Sequence, residues 1–160
     1  MKLTEEQIEK IAESIEAGFI CNVNPDTGEI EELREYDEFD IYADEDPDEY
    51  DEEYLASEPE WVKESRKEIK EQMERINSWD RIIEIEKPDS GEELTYMKDF
   101  VEQQIPEPEQ NMYRKALQGK NPFSNFNIQI QDSEHLDNWY EFKKKKLMEF
   151  VREELMEFDI

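Results

Sequence analysis

Between Asp26 and Glu60 the chain carries eighteen carboxylates and a single base, Arg34. That stretch of 35 residues holds 17 of the 27 net negative charges of the whole 160-residue protein. Its densest part, Asp44 to Glu53, repels itself whenever it is compacted, and runs of like charge favour solvated chain or interaction tails over packed core. Phe39, Ile41, Tyr42, Tyr50, Tyr54 and Leu55 interrupt the run and offer apolar anchors. The stretch therefore reads as a solvated, weakly packed acidic insertion at about residues 36–60. The rest of the chain must supply the core.

It has the means to do so. Apolar residues make up 36% of the chain, below the roughly 45–50% usual for globular domains, but eight Phe, seven Tyr and three Trp concentrate apolar area in few positions. The sequence shows no internal repeat, no Gly/Ser linker and no composition shift that would divide it. One domain spanning 1–160 is the expectation. The longest apolar run, Phe19-Ile20-Cys21, is far short of the roughly 20 residues a membrane helix needs. Met1 to Glu6 lacks an apolar stretch of signal-peptide length. One cysteine permits no internal disulfide and suits a reducing compartment, so a cytoplasmic protein is expected.

Local signals place the elements. Thr4 and Gln7 have the spacing of a capping box, with Leu3 and Ile8 as the flanking staple, and Ile8, Ile11, Ala12 and Ile15 mark one helical face ending at Gly18. Phe19–Val23 and Glu29–Leu33 flank Asn24-Pro25-Asp26-Thr27-Gly28, a turn sequence, and predict a hairpin. Ile30 and Leu33 break strict alternation, which predicts a bend or bulge in the second strand. Ser57-Glu58-Pro59-Glu60 reads as a second capping box, opening a helix along Val62, Ser65, Ile69, Met73 and Ile76 to about Asn77. Arg81–Glu86 alternates as a third strand beside the hairpin.

Ser90 with Glu93 reads as a third capping box, before a helix through Leu94, Met97, Phe100 and Val101. Pro106 and Pro108 end that helix and start another along Met112, Tyr113, Ala116 and Leu117. Asn121-Pro122 opens a short one through Phe123, Phe126 and Ile130. Asp132 or Ser133 starts the last and longest, about 25 residues. The fold class is α+β: a small antiparallel sheet of about three strands packed against several helices, with a long C-terminal helix.

Little of this sequence carries chemistry. His135 is the only imidazole, so sites needing two histidines are excluded, and its position between Glu134 and Leu136 reads as surface. Cys21 reads as a small core hydrophobe without a partner for a nucleophilic triad. The Asn24–Gly28 turn fails the EF-hand pattern, because Gly28 stands where a ligand belongs and Glu29 where the turn glycine belongs. Gly119-Lys120 lacks the upstream glycine of a phosphate loop, since position 114 is Arg. Lys143–Lys146 spreads around a helix axis and makes no phosphate stripe, and a charge of −27 repels nucleic acid. The aromatic spacing admits a ring-lined pocket, but plain core is the preferred reading. No catalytic residue, cofactor or metal ligand set is assigned.

Tyr96-Met97-x-x-Phe100, Leu117-x-Gly119-Lys120-x-x-Phe123-x-x-Phe126 and Trp139-x-x-Phe142, preceded by a strand, resemble the bacterial group catalogued as uncharacterised protein family 0158. The likeness is closest from Arg81 to Phe142, and an Asp-x-x-Gly turn of the family has a shorter counterpart in Asp26–Gly28. The acidic insertion and the helix at Trp61 look particular to this chain. The resemblance implies a small cytoplasmic α+β protein and brings no functional residue with it.

The charge asymmetry yields the leading functional expectation. It is a non-enzymatic protein-interaction module whose acidic face, Asp44, Glu45, Asp46, Asp48, Glu49, Asp51, Glu52 and Glu53, meets a basic protein surface, a nucleic-acid mimic being one form of it. Neither direct nucleic-acid contact nor membrane contact is expected. The alternative is a carboxylate-based, metal-assisted enzyme or small-ligand-binding protein with a cleft between sheet and helices. A third reading gives the charge no role beyond solubility. A concave site with converging acids separates the second from the first.

Overall fold

The computed structural model describes residues 2–34 and 59–158, and six helices and a three-stranded antiparallel sheet lie among them. The described residues within Met1–Lys87 and Glu154–Ile160 form one compact unit, and Pro88–Glu153 forms the other.

The first unit begins with α1, Glu5–Glu16. Thr4 Oγ1 accepts the Gln7 N–H at 3.2 Å, and Gln7 Oε1 accepts the Thr4 N–H at 2.9 Å. Two donors that would otherwise be orphaned at the helix start are thereby satisfied, as the capping box predicts. Gln7 Nε2 also donates to the Gly28 carbonyl at 3.3 Å, tying the helix start to the hairpin turn. Ile8, Ile11, Ala12 and Ile15 are buried. Gly18 follows at φ +97°, and its N–H reaches the Ile15 carbonyl at 3.1 Å. A Cβ at Gly18 would meet open space, so only backbone strain opposes substitution there. Gly18→Ala is expected to cost about 1–2 kcal/mol, read as a lower urea midpoint.

Strands β1, Phe19–Val23, and β2, Ile30–Arg34, pair antiparallel from Phe19 opposite Arg34 to Val23 opposite Ile30. The turn between them is held by Asn24 Oδ1, which accepts the Asp26 N–H at 2.9 Å, and by Gly28 at φ +80°. The bulge expected from Ile30 and Leu33 does not form: the register runs unbroken, and the two half-buried side chains take opposite faces. Strand β3, Ile83–Ile85, joins β1 on its other edge, with Cys21 opposite Ile85 and Val23 opposite Ile83, for an order β2-β1-β3. Period-2 geometry puts Cys21, Val23, Ile83 and Ile85 on one face, and all four are buried. Helix α1 packs on β1, and Ser14 bonds the Cys21 thiol.

Helix α2, Glu60–Asn77, starts at Pro59 without a side-chain cap; Ser57 and Glu58 of the expected capping box lie outside the described residues. Ile76 is its buried residue, and Val62, Ile69 and Met73 are half-buried. Gln72 Nε2 donates to the Glu32 carbonyl at 2.6 Å and to Glu31 Oε2 at 3.0 Å, fastening α2 to β2.

The second unit is helical: α3, Ser90–Gln104, α4, Glu107–Gln118, α5, Pro122–Gln131, and most of α6, Leu136–Met156. The cap of α3 is Asp89, whose Oδ1 accepts the Glu92 N–H at 2.9 Å, one residue earlier than the Ser90/Glu93 pairing predicted. A carboxylate at a helix N-terminus also meets the positive end of the dipole, which the Ser90 hydroxyl does not match. The long helix begins at Leu136 rather than at Asp132 or Ser133, because Ser133 Oγ donates to the Ile130 carbonyl at 2.7 Å and accepts the His135 N–H at 3.1 Å. Those bonds close a turn between α5 and α6. The 21-residue helix is roughly 32 Å long. No helix among the described residues is long and apolar enough to cross a membrane.

Candidate functional site

The eight acids chosen from the sequence, Asp44, Glu45, Asp46, Asp48, Glu49, Asp51, Glu52 and Glu53, all lie outside the described residues. The aromatic residues lie within them. Phe100 and Trp139 have ring centroids 5.3 Å apart, Phe126 and Trp139 meet edge-on at 5.0 Å, and Tyr113 and Phe126 are 5.9 Å apart. All four rings are buried, in one cluster with Met97, Val101, Ile105, Leu117 and Ile130. Tyr96, Phe123 and Phe142 pack at its edge. The rings occupy one another's space, as tilted and edge-to-face pairs do in a close-packed interior. Lys143 and Lys146 lie over the Trp139 and Phe142 rings at 5.9 and 5.5 Å, their stems covering apolar surface.

Two of the grooves on the helical unit lie among α3, α4 and α5. One of about 350 Å³ is lined by Lys98, Val101, Glu102, Arg114, Leu117 and Gln118. It offers one carboxylate against two cations. The other, about 530 Å³, is lined by Met112, Lys115, Ala116, Asn125, Ile128 and Gln129 and contains no acid. Neither has converging carboxylates. In the first unit, the acids with perturbed protonation belong to surface pairs. Arg75 Nε bonds Glu31 Oε1 at 2.8 Å and holds that carboxyl below the usual range, assisted by Gln72. Arg81 bonds Asp26 at 2.6 Å with the same effect. Glu84 is pushed up because it shares a hydrogen bond with Glu86 on the exposed side of β3.

One cluster brings unlike donors together. His135, read from the sequence as a surface residue, is buried in the turn before α6, with its side chain 9% exposed. Its Nε2 lies 3.3 Å from Glu109 Oε2 in the first turn of α4 and 3.8 Å from Glu134 Oε1. One donor atom from each of the three residues falls within 4.8 Å of the others. Local spacing could not reveal the cluster, since Glu109 precedes His135 by 26 positions and is brought to it only by the packing of α4 against α5 and the turn at Ser133.

The model of the Uncharacterised protein family (UPF0158) matches residues 30–160. The chain belongs to that family. The UPF0158 match extends well beyond the Arg81–Phe142 stretch that carries the sequence resemblance. It includes the acidic stretch and α2, which the sequence reading set apart as particular to this chain. It begins after α1, β1 and the hairpin turn. No curated protein and no solved structure matches the chain. Membership of UPF0158 assigns no activity and no functional residue.

Proposed function

We propose that this protein is a non-enzymatic interaction module of the bacterial cytoplasm that engages a basic partner protein through the acids Asp44 to Glu53. A nucleic-acid mimic occupying a DNA- or RNA-binding protein is one form of this function. The observation that supports the reading most is the division of labour among side chains. Rings that a ligand pocket would need are packed against one another around Phe100, Phe126 and Trp139, while a net charge of −27 remains to define the outward character of the chain. A field of that sign accelerates encounter with a basic surface and disfavours acidic competitors.

Exposed charge pairs are screened over about 8–10 Å at physiological ionic strength, so such a complex weakens as salt rises. The test is affinity capture from the native host at low and high salt. It uses the parent chain and a variant with the eight acids of Asp44–Glu53 changed to Asn or Gln. The expected result is a basic protein retained by the parent at low salt, released at moderate salt, and not retained by the variant. A partner that survives molar salt or binds the neutralised variant equally, or the absence of any specific partner, overturns the proposal.

A further inference from the structure

We propose that His135, Glu109 and Glu134 form a binding site for one divalent transition-metal ion, with Zn²⁺ best suited to the donor set. The ring of His135 is buried, and its backbone is held on both sides: the N–H donates to the Ser133 hydroxyl, and the carbonyl accepts the Trp139 N–H at 2.9 Å in the first turn of α6. Zinc binds imidazole nitrogen and carboxylate oxygen at about 2.0–2.2 Å, which puts neighbouring tetrahedral donors about 3.3–3.5 Å apart. Nε2 stands 3.3 Å from one carboxylate oxygen and 3.8 Å from the other. All three donors lie within 4.8 Å of one another, and closing the second and third edges to zinc distance falls to Glu134, whose side chain is 81% exposed. Glu109 is 43% exposed, so water reaches the cluster and could complete the shell.

Electrostatics point the same way. A single Nε2–H satisfies one acceptor, so it cannot serve both carboxylates. Among the described residues neither Glu109 nor Glu134 has a lysine or arginine within ion-pair distance, and the group that meets both carboxylates is the imidazole. A divalent ion balances two converging carboxylates and takes the Nε2 lone pair of the imidazole as its nitrogen ligand. The nitrogen donor favours a transition metal over Mg²⁺ or Ca²⁺, which prefer an all-oxygen shell. The site shares no residue with the Asp44–Glu53 acids, and its test is independent of theirs.

The chain has one histidine, so its ring resonances identify themselves. Titrating the full chain with ZnCl₂ while recording long-range proton–nitrogen spectra is expected to move the His135 Nε2 signal to a metal-bound position. The shift should saturate at one equivalent, and the same concentration of MgCl₂ should leave the ring unmoved. E109Q and E134Q change exposed side chains and keep the fold by circular dichroism; each should weaken Zn²⁺ binding about tenfold or more. Zinc taken up with the His135 signals static overturns the proposal, since the ion then sits on other carboxylates. So does binding by E109Q and E134Q as tight as that of the parent.

Discussion

Phe100→Ala is expected to remove about 3–5 kcal/mol of stability, the range for deleting a fully buried aromatic ring. Phe100 is wholly enclosed, with the Trp139 and Phe142 ring centroids both 5.3 Å away. Truncation forfeits the transfer free energy of the ring, leaves a cavity, and deletes two aromatic pairs worth about 0.5–1.5 kcal/mol each beyond area burial. Against a total stability of about 5–15 kcal/mol that loss is a large fraction, so the urea midpoint should fall far or the helical unit should lose cooperative folding. Ile128→Ala, on α5 in the same unit, is the contrast: that side chain is 64% exposed, and its truncation should stay within about 0.5 kcal/mol. A Phe100→Ala chain as stable as the parent would mean that the ring lines open space. The division between an aromatic interior and an acidic exterior, on which the proposed function rests, would then fail.

The elements that could be read from the sequence are those whose determinants sit within a few residues. Thr4 and Gln7 find each other across three positions, Asn24 to Gly28 closes its own turn, and Ile83 and Ile85 alternate over a single strand. Errors of one to four residues arose where two local acceptors competed. Asp89 displaced Ser90 as a cap, and Ser133 bonded across a turn and delayed α6 until Leu136. Helical spacing likewise overstated the stripe of α4: Tyr113 and Leu117 are buried, but the adjacent Met112 points to solvent, because neighbours in a helix are about 100° apart.

The His135 cluster was illegible for a different reason. A ring between Glu134 and Leu136 looks solvated until tertiary packing brings Glu109 to its Nε2, and no periodicity encodes a contact at that separation. Composition alone suggested that the aromatic residues would build a core, yet which rings touch was decided by the crossing of α3, α5 and α6.

Cys21 gives the other large effect. Its thiol is fully buried on β1, and burial, reinforced by the charge of Glu32 and only partly offset by the Ser14 hydrogen bond and Lys10, raises its pKa from the ordinary 9.0 to about 12. Because the thiolate is the nucleophile, three pKa units lower the reactive fraction roughly thousandfold near neutral pH, before steric exclusion is counted. Reaction of the native chain with a thiol reagent should therefore be at least about a thousandfold slower than that of the urea-unfolded chain, and should track the population of unfolded molecules.

The same shift fixes a pH dependence. Above pH 9 the unfolded chain releases a proton that the folded chain still holds, so stability is complete below about pH 9 and declines as pH climbs toward 12. The limiting slope is about 1.4 kcal/mol per pH unit. Tyr96 acts in the same direction from pH 10 upward. Its phenol is pushed to about 12 by partial burial and by Glu92, Glu153, Glu149 and Glu93, with a smaller effect because solvent reaches the ring. Cys21→Ala should accordingly remove the decline that begins at pH 9 and leave the shallower one from Tyr96, measured as urea midpoints between pH 8 and 11. Fast labelling of the folded chain, or an alkaline limb unchanged by Cys21→Ala, would place the thiol within reach of water. The face of the sheet that α1 covers would then be open.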